Sequence, residues 1–492
     1  MSSKYYAVSL VVLHIAYPKK GAIILLANLG KEDVAMQSIK EKLTFDFRSD
    51  MLFSKAEVWA ILLPVVLETL LSYLIGLADS VMVSEAGEAA VSAVSMIDAI
   101  SVLFINVFAA LANGGAVVCG QHLGKKDALG ARSSAEHTML FLFVSSGVIT
   151  ALMLIFRTQL LELLYGSVDD EVMYNCEVYY RIVILSIPCI ALYNGGAALH
   201  RTSGDSKTPL KISIYMNIIN VAGNALLIYV FRMGVAGVAV PTLVSRFVAM
   251  AAMLAMSFRR DFIFNIRGIR HFRFDRKLFS STLSVGVPNG IENGMFQFGK
   301  LILTSLVATL TTAAITANAI GNTVGNLHCV IGVSANSALM AVVSRCVGAG
   351  DYTQARWYTR YIVMTTYVLE GLFNLLFIAA IPLILKLYGV SAETASLTVP
   401  ILLLHGITTI ILWPAAFMFN ISMRSAGDSK YAMWIASISM WLCRVGGAYV
   451  MIKLLGTGVI GVWIAWAIDW CFRIAFFIPR YLGHKWETKA LV

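Results

Sequence analysis

The heptapeptide Arg201-Thr-Ser-Gly-Asp-Ser-Lys207 returns as Arg424-Ser-Ala-Gly-Asp-Ser-Lys430, 223 residues later in a chain of 492. Three more segments repeat at nearly the same distance. Pro64 and Glu68 recur as Pro288 and Glu292; Gly124, Asp127 and Arg132 as Gly348, Asp351 and Arg356; Gly234 and Gly237 as Gly458 and Gly461, all 224 apart. One register held across four separated segments marks an internal duplication. The chain therefore consists of two homologous halves.

The segments between these landmarks are apolar. Hydrophobic residues make up 58% of the chain and charged residues 13%, against about 25% charged in a soluble domain, and the mean hydropathy is +0.77. That composition excludes an ordinary soluble enzyme, a disordered scaffold and a nucleic-acid reader. Apolar runs long enough to span a bilayer fall at 57–83, 90–118, 136–156, 177–199, 211–231, 235–257, 282–308, 313–342, 360–384, 397–421, 431–455 and 458–480. The expected fold is an all-α integral membrane protein of twelve transmembrane helices in two homologous six-helix lobes. Six is even, so the halves share one orientation and are related by a pseudo-two-fold axis along the membrane normal.

The expected division is an N-terminal extension (1–56), a first lobe (57–257), a basic linker (258–280), a second lobe (281–484) and a tail (485–492). The extension fits no span. Its apolar runs are short, and a signal peptide without a small-residue cleavage site or a translation start at Met36 or Met51 are both open readings.

Basic residues orient the chain. Loops after the even-numbered spans carry 18 Lys and Arg, seven of them in the linker (Arg259, Arg260, Arg267, Arg270, Arg273, Arg276 and Lys277). The opposite loops carry four: Arg157, Arg232, Lys386 and Lys453. This asymmetry places both termini in the cytoplasm and assigns the net charge of +10 to lipid headgroups. The expected location is the plasma membrane, the bacterial inner membrane, with membrane lipid as a partner. The seven cysteines contain no C-x-x-C pair and read as small buried hydrophobes.

Charges inside hydrocarbon need a reason. Glu68 and Asp79 lie 11 residues apart in the first span, on one helical face about 16 Å apart. Asp98 lies in the second span, and Asn220 and Asn224 share a face of the fifth. Position 322, the repeat partner of 98, is Asn322, within a ladder Asn318, Asn322, Asn326 beside His328. In the seventh span Glu292 and Lys300, eight apart, are candidates to pair. Each group also has a packing role open to it: carboxylates hydrogen-bonded between helices, asparagines as interhelical glue, Lys300 as a structural ion-pair partner. Arg246, His405, Arg444 and Asp469 read as structural groups near span ends or the lobe periphery. The repeated Gly-Asp-Ser-Lys turns read as helix caps or gate contacts. Neither G-x-x-x-x-G-K-[ST] nor H-E-x-x-H occurs, and no nucleophile–base set stands out, so the chain is not expected to be an enzyme or to need a cofactor.

The stretch Leu63-Pro-Val-Val-Leu-Glu-Thr-Leu-Leu-Ser-Tyr-Leu-Ile-Gly-Leu-Ala-Asp-Ser-Val-Met-Val-Ser84 resembles the first helix of the multidrug and toxic compound extrusion (MATE) family. Gln121-His-Leu-Gly-Lys-Lys-Asp-Ala-Leu-Gly-Ala-Arg132, its echo Arg345-Cys-Val-Gly-Ala-Gly-Asp351, the Gly-Asp-Ser-Lys turns and Gly234-Val-Ala-Gly237 are similar as well. The resemblance runs over residues 56–484. It implies a V of two lobes around a central cavity, working as a monomeric antiporter that exchanges H+ or Na+ for small organic, cationic compounds. It implies ion coupling at Asp79 with Asn220, where Na+ would also involve Asn224; Asn224 stands where some members have Asp. Glu68 and Asp98 then add charge to the ion site, while Glu292, Lys300, Asn318, Asn322 and Asn326 form the substrate wall. Two rivals are a flippase for a lipid-linked sugar, which needs a strongly cationic cavity, and a membrane-embedded enzyme using Glu292 and His328.

Overall fold

Repeated caps and turns build the same helical pattern twice. The computed structural model describes residues 50–85, 87–166, 168–266 and 274–492; residues 1–49 of the extension and Arg267, Arg270 and Arg273 of the linker lie outside them. The helices of the first half are α1 (Lys55–Ser84), α2 (Glu88–Gly124), α3 (Ala128–Ile155), α4 (Arg157–Tyr165), α5 (Asp170–Ile184), α6 (Ile187–Ser203), α7 (Lys207–Val230) and α8 (Ala236–Ser257). Those of the second are α9 (Arg276–Val307), α10 (Thr312–His328), α11 (Val330–Gly348), α12 (Tyr352–Ala379), α13 (Ile381–Tyr388), α14 (Ala392–Ser425), α15 (Ser429–Leu454) and α16 (Ile460–Leu482).

Ten of these helices are long and apolar enough to cross a membrane, and α5 with α6, bent by 41°, makes an eleventh span. Helix α9, with 32 residues, is the twelfth. It has ample length, but Asn289, Glu292, Asn293, Gln297 and Lys300 make it polar. All twelve expected spans thus have helical counterparts. Two differences are local. The eighth span is not one rod: it breaks at Cys329 between α10 and α11, whereas its counterpart α2 runs unbroken for 37 residues. The second is the pair of short helices α4 and α13, which begin 224 residues apart. Leu163, Leu164, Leu383 and Leu387 stand exposed on them, as on helices lying in a membrane interface.

The repeat is visible atom by atom. Asp127 accepts from the Gly130 amide at 2.9 Å, and Asp351 from the Gln354 amide at 2.9 Å, so each caps the third span of its half. Gly204 and Gly427 end α6 and α14 at φ of +100° and +99°, a left-handed conformation that favours glycine. The π-helical stretch Leu226–Val230 in α7 returns as Val450–Leu454 in α15.

Each lobe has its own core, and Leu, Val and Phe side chains such as Phe143, Val148, Leu372 and Leu375 remain exposed around the outside. In water such a surface would drive aggregation; in lipid it is the contact surface. The lobes touch through small residues. A methyl group on Gly114 would collide with the Gly286 backbone, one on Gly120 with Ser344, and one on Gly124 with the Arg345 carbonyl. These contacts lie toward the C-terminal ends of α2 and α11, the end that carries the basic loops. The start of α1 belongs to the second lobe's core: Phe53, Val58, Ile61 and Leu62 pack with Leu339, Val343 and Tyr358. The Phe53 amide donates to the Tyr358 hydroxyl at 2.8 Å.

Candidate functional site

Within the first lobe, α1, α2, α5, α7 and α8 surround a cavity of about 340 Å³. Its wall includes Ser72, Asp79, Ser95, Asp98, Tyr179, Asn217, Asn220, Thr242 and Arg246. Two carboxylates and one guanidinium therefore share one partly buried space.

Asp79 is the centre of its polar contacts. Asn224 donates from Nδ2 to Asp79 Oδ1 at 2.9 Å. Asn220 sits with its amide against both carboxylate oxygens. With its nitrogen toward Asp79 it donates at 3.1 and 3.0 Å and accepts from Thr242 at 3.2 Å. This orientation suits an ionised carboxylate, which can only accept. Asn224 Oδ1 is fully buried and has no hydrogen-bond partner among the described residues, an orphan acceptor beside a carboxylate. Of the expected site residues, Asp79, Asn220 and Asn224 thus come together.

Asp98 shares the cavity and accepts from the Tyr179 hydroxyl at 3.0 Å. Nothing in the pattern of residues marks Tyr179 beforehand. Arg246 corrects the peripheral reading: it lines this cavity, donating to Ser186 Oγ at 2.8 Å. Helical phase alone could not place it, because the packing rotation of α8 decides which of its faces turns inward.

Glu68 lies outside this cavity. Arg201 donates to both of its oxygens at 2.8 Å and Tyr193 to one at 3.1 Å. The arrangement repeats in the second lobe, where Arg424 pairs with Glu292 and also holds Asn289 and Asn420. Glu292 therefore pairs with Arg424, not with Lys300. The repeat itself carried the signal, since Glu68 recurs as Glu292 and Arg201 as Arg424; the arginines were counted as loop charges instead.

The asparagine row of α10 is less collected. Asn322 donates back to the Asn318 carbonyl at 2.9 Å, and Asn326 is exposed. His405, Arg444 and Asp469, expected near the periphery, are buried inside the second lobe. Asp469 takes Arg444 at 2.5 Å and Arg473 at 3.1 Å, while His405 meets His328 at 3.0 Å between ring nitrogens.

Outside the membrane segments, the turn carboxylates are tuned as caps. The His200 hydrogen bond, aided by the Thr208 amide, holds the Asp205 carboxyl well below the usual carboxylate range. The Gly130 amide, aided by His122, lowers that of Asp127.

The MatE family model matches residues 64–226 and 288–450, once in each half and in the register of the repeat. An uncharacterized transporter of Bacillus subtilis, YisQ, is 27% identical over 445 residues, which cover 87% of this chain and 94% of that protein. A probable multidrug resistance protein NorM of Thermotoga maritima is 24% identical over 447 residues, 89% of this chain and 94% of that protein. Among solved structures, a multidrug resistance MATE family transporter in an outward-facing conformation superposes with a TM-score of 0.80 at 20% identity. That match covers 87% of this chain and 96% of the other.

Proposed function

Because the chain belongs to the MatE family of membrane transporters, we propose that it is an antiporter that exports small organic compounds by alternating access, coupled to H+ or Na+ at Asp79. The observation that carries this reading is the Asp79–Asn220–Asn224 cluster of the first lobe, in which both amides donate to the carboxylate and the Asn224 carbonyl oxygen has no partner among the described residues. Asp98 supplies a second acid to the same cavity, in place of an acid at position 224.

The exchange follows from competition. Ionised Asp79 draws the positive end of a substrate into the cavity. A proton or sodium ion arriving from outside neutralises the same carboxylate, and the substrate leaves. The lobes then rock about their contacts, and the ion exits on the other side. With both termini cytoplasmic, the lobe contacts at Gly114, Gly120 and Gly124 lie on the inner side. We place the transporter in the plasma membrane as a monomer.

The test uses proteoliposomes, a fluorescent cationic dye, and a proton or sodium gradient imposed separately. One gradient is expected to drive dye movement in the wild type, and Asp79→Asn to lose it while remaining folded. Undiminished coupled transport by Asp79→Asn would overturn the ion site. The lipid-linked-sugar flippase needs a strongly cationic cavity, and the first-lobe cavity instead holds two acids against Arg246.

A further inference from the structure

The second lobe is the electrostatic opposite of the first. Asp469 is shared by Arg444 and Arg473, so this buried triad keeps one positive charge in excess. Lys300 adds another. No carboxylate lies within 4 Å of its ammonium among the described residues, since Glu292, two turns away on α9, is taken by Arg424. The remaining titratable groups turned toward this region are His328 on α10, Glu370 on α12 and His405 on α14. Lys300, Arg444 and Glu370 all lie within electrostatic reach of the Cys329 thiol, and His405 lies within reach of Arg444. Even with Glu370 ionised the region stays positive. In the first lobe, Asp79 and Asp98 outnumber Arg246.

An uncompensated charge in a membrane interior is costly, and such groups mark binding sites. Here the excess is also aimed. Arg444 gives Nε and Nη2 to Asp469, but its buried Nη1 has no partner among the described residues. Its guanidinium carbon lies 5.1 Å from the Phe296 ring centre and 4.4 Å from that of Trp466; Lys300 Nζ lies 5.9 Å from the same Phe296 ring. Phe296 and Lys300, four residues apart on α9, share a face.

We infer that Lys300 and Arg444 Nη1 form a binding site for a carboxylate or phosphate group beside the flat faces of Phe296 and Trp466. Exported cations that also carry such an anionic group are then preferred over bare cations, the negative group being held in the second lobe. This rests on the export reading above and names its substrate class.

The test compares two rhodamine dyes, one with a free carboxylate and the other its ethyl ester. Binding to the full-length protein in phosphatidylcholine nanodiscs is followed by fluorescence anisotropy. The acid is expected to bind about tenfold tighter than the ester. Lys300→Gln should bring the ratio to about one, and Lys300→Arg should keep the preference. A wild-type ratio of one or less overturns the inference without recourse to any variant, as does a preference that survives Lys300→Gln. Loss of the preference when phosphatidylglycerol replaces part of the lipid would assign the site to a lipid phosphate and also overturn it. Gradient-driven export of the ester, measured alongside, reports the antiport separately, so either reading can fail while the other stands.

Discussion

Asn224 donates a hydrogen bond to Asp79 across 2.9 Å while its own carbonyl oxygen, fully buried, finds no partner among the described residues. A buried acceptor left unmet is costly, and a carboxylate lies next to it. The pair is 145 residues apart in sequence and joins α1 to α7. A cation held between the two oxygens would satisfy both.

Asp98 enters the same cavity from α2, so the roles of the two acids are separable. Asp98→Asn is expected to weaken gradient-driven dye export several-fold without abolishing it, because Asp79 keeps its two amides. Initial rates in proteoliposomes decide the point; complete loss with Asp98→Asn would make it the primary ion ligand.

The two Glu–Arg pairs act within their own lobes. Both partners are largely buried, and removing one leaves a charge without compensation, at about 3–5 kcal/mol. Arg201→Ala and Arg424→Ala should each lower the thermal unfolding temperature sharply in detergent. Glu68→Gln combined with Arg201→Met should recover most of that loss. If Arg201→Ala unfolds like the wild type, the pair is not structural.

The glycine contacts between lobes allow a conformational test. Any Cβ at position 124 would press on the Arg345 carbonyl, which is backbone and cannot swing away. Gly124→Ala should therefore push the lobes apart at that end. Maleimide labelling of Cys119 and Cys346, both buried, should accelerate, while Cys471, already exposed, labels as before.

Asp205 links pH to the stability of the repeated turn. Its folded carboxyl is held below the usual range, chiefly by His200, so its contribution is complete above the unfolded pKa and is lost as pH falls through the folded value. Asp205→Asn should melt below the wild type at neutral pH, with the gap closing below about pH 4. A gap independent of pH would exclude the charge as its cause.

Hydropathy, the 224-residue repeat and the loop charges are properties of a line, and they were enough for twelve helices, two lobes and their caps. Gly204 and Gly427 act within a few residues of themselves, so the turns that hold them were legible locally; Asp127 and Asp351 showed in the sequence only as a repeat, and the structure gives them their capping role. Asp79, Asn220 and Asn224 were legible because the resemblance pointed to them. The partners of buried charges were not. Glu68 meets Arg201 at 133 residues' separation and Glu292 meets Arg424 at 132. Arg246 turns into a cavity and Lys300 is left without an acid because of how each helix is rotated against its neighbours. Helical periodicity states which residues share a face; only packing decides what that face meets.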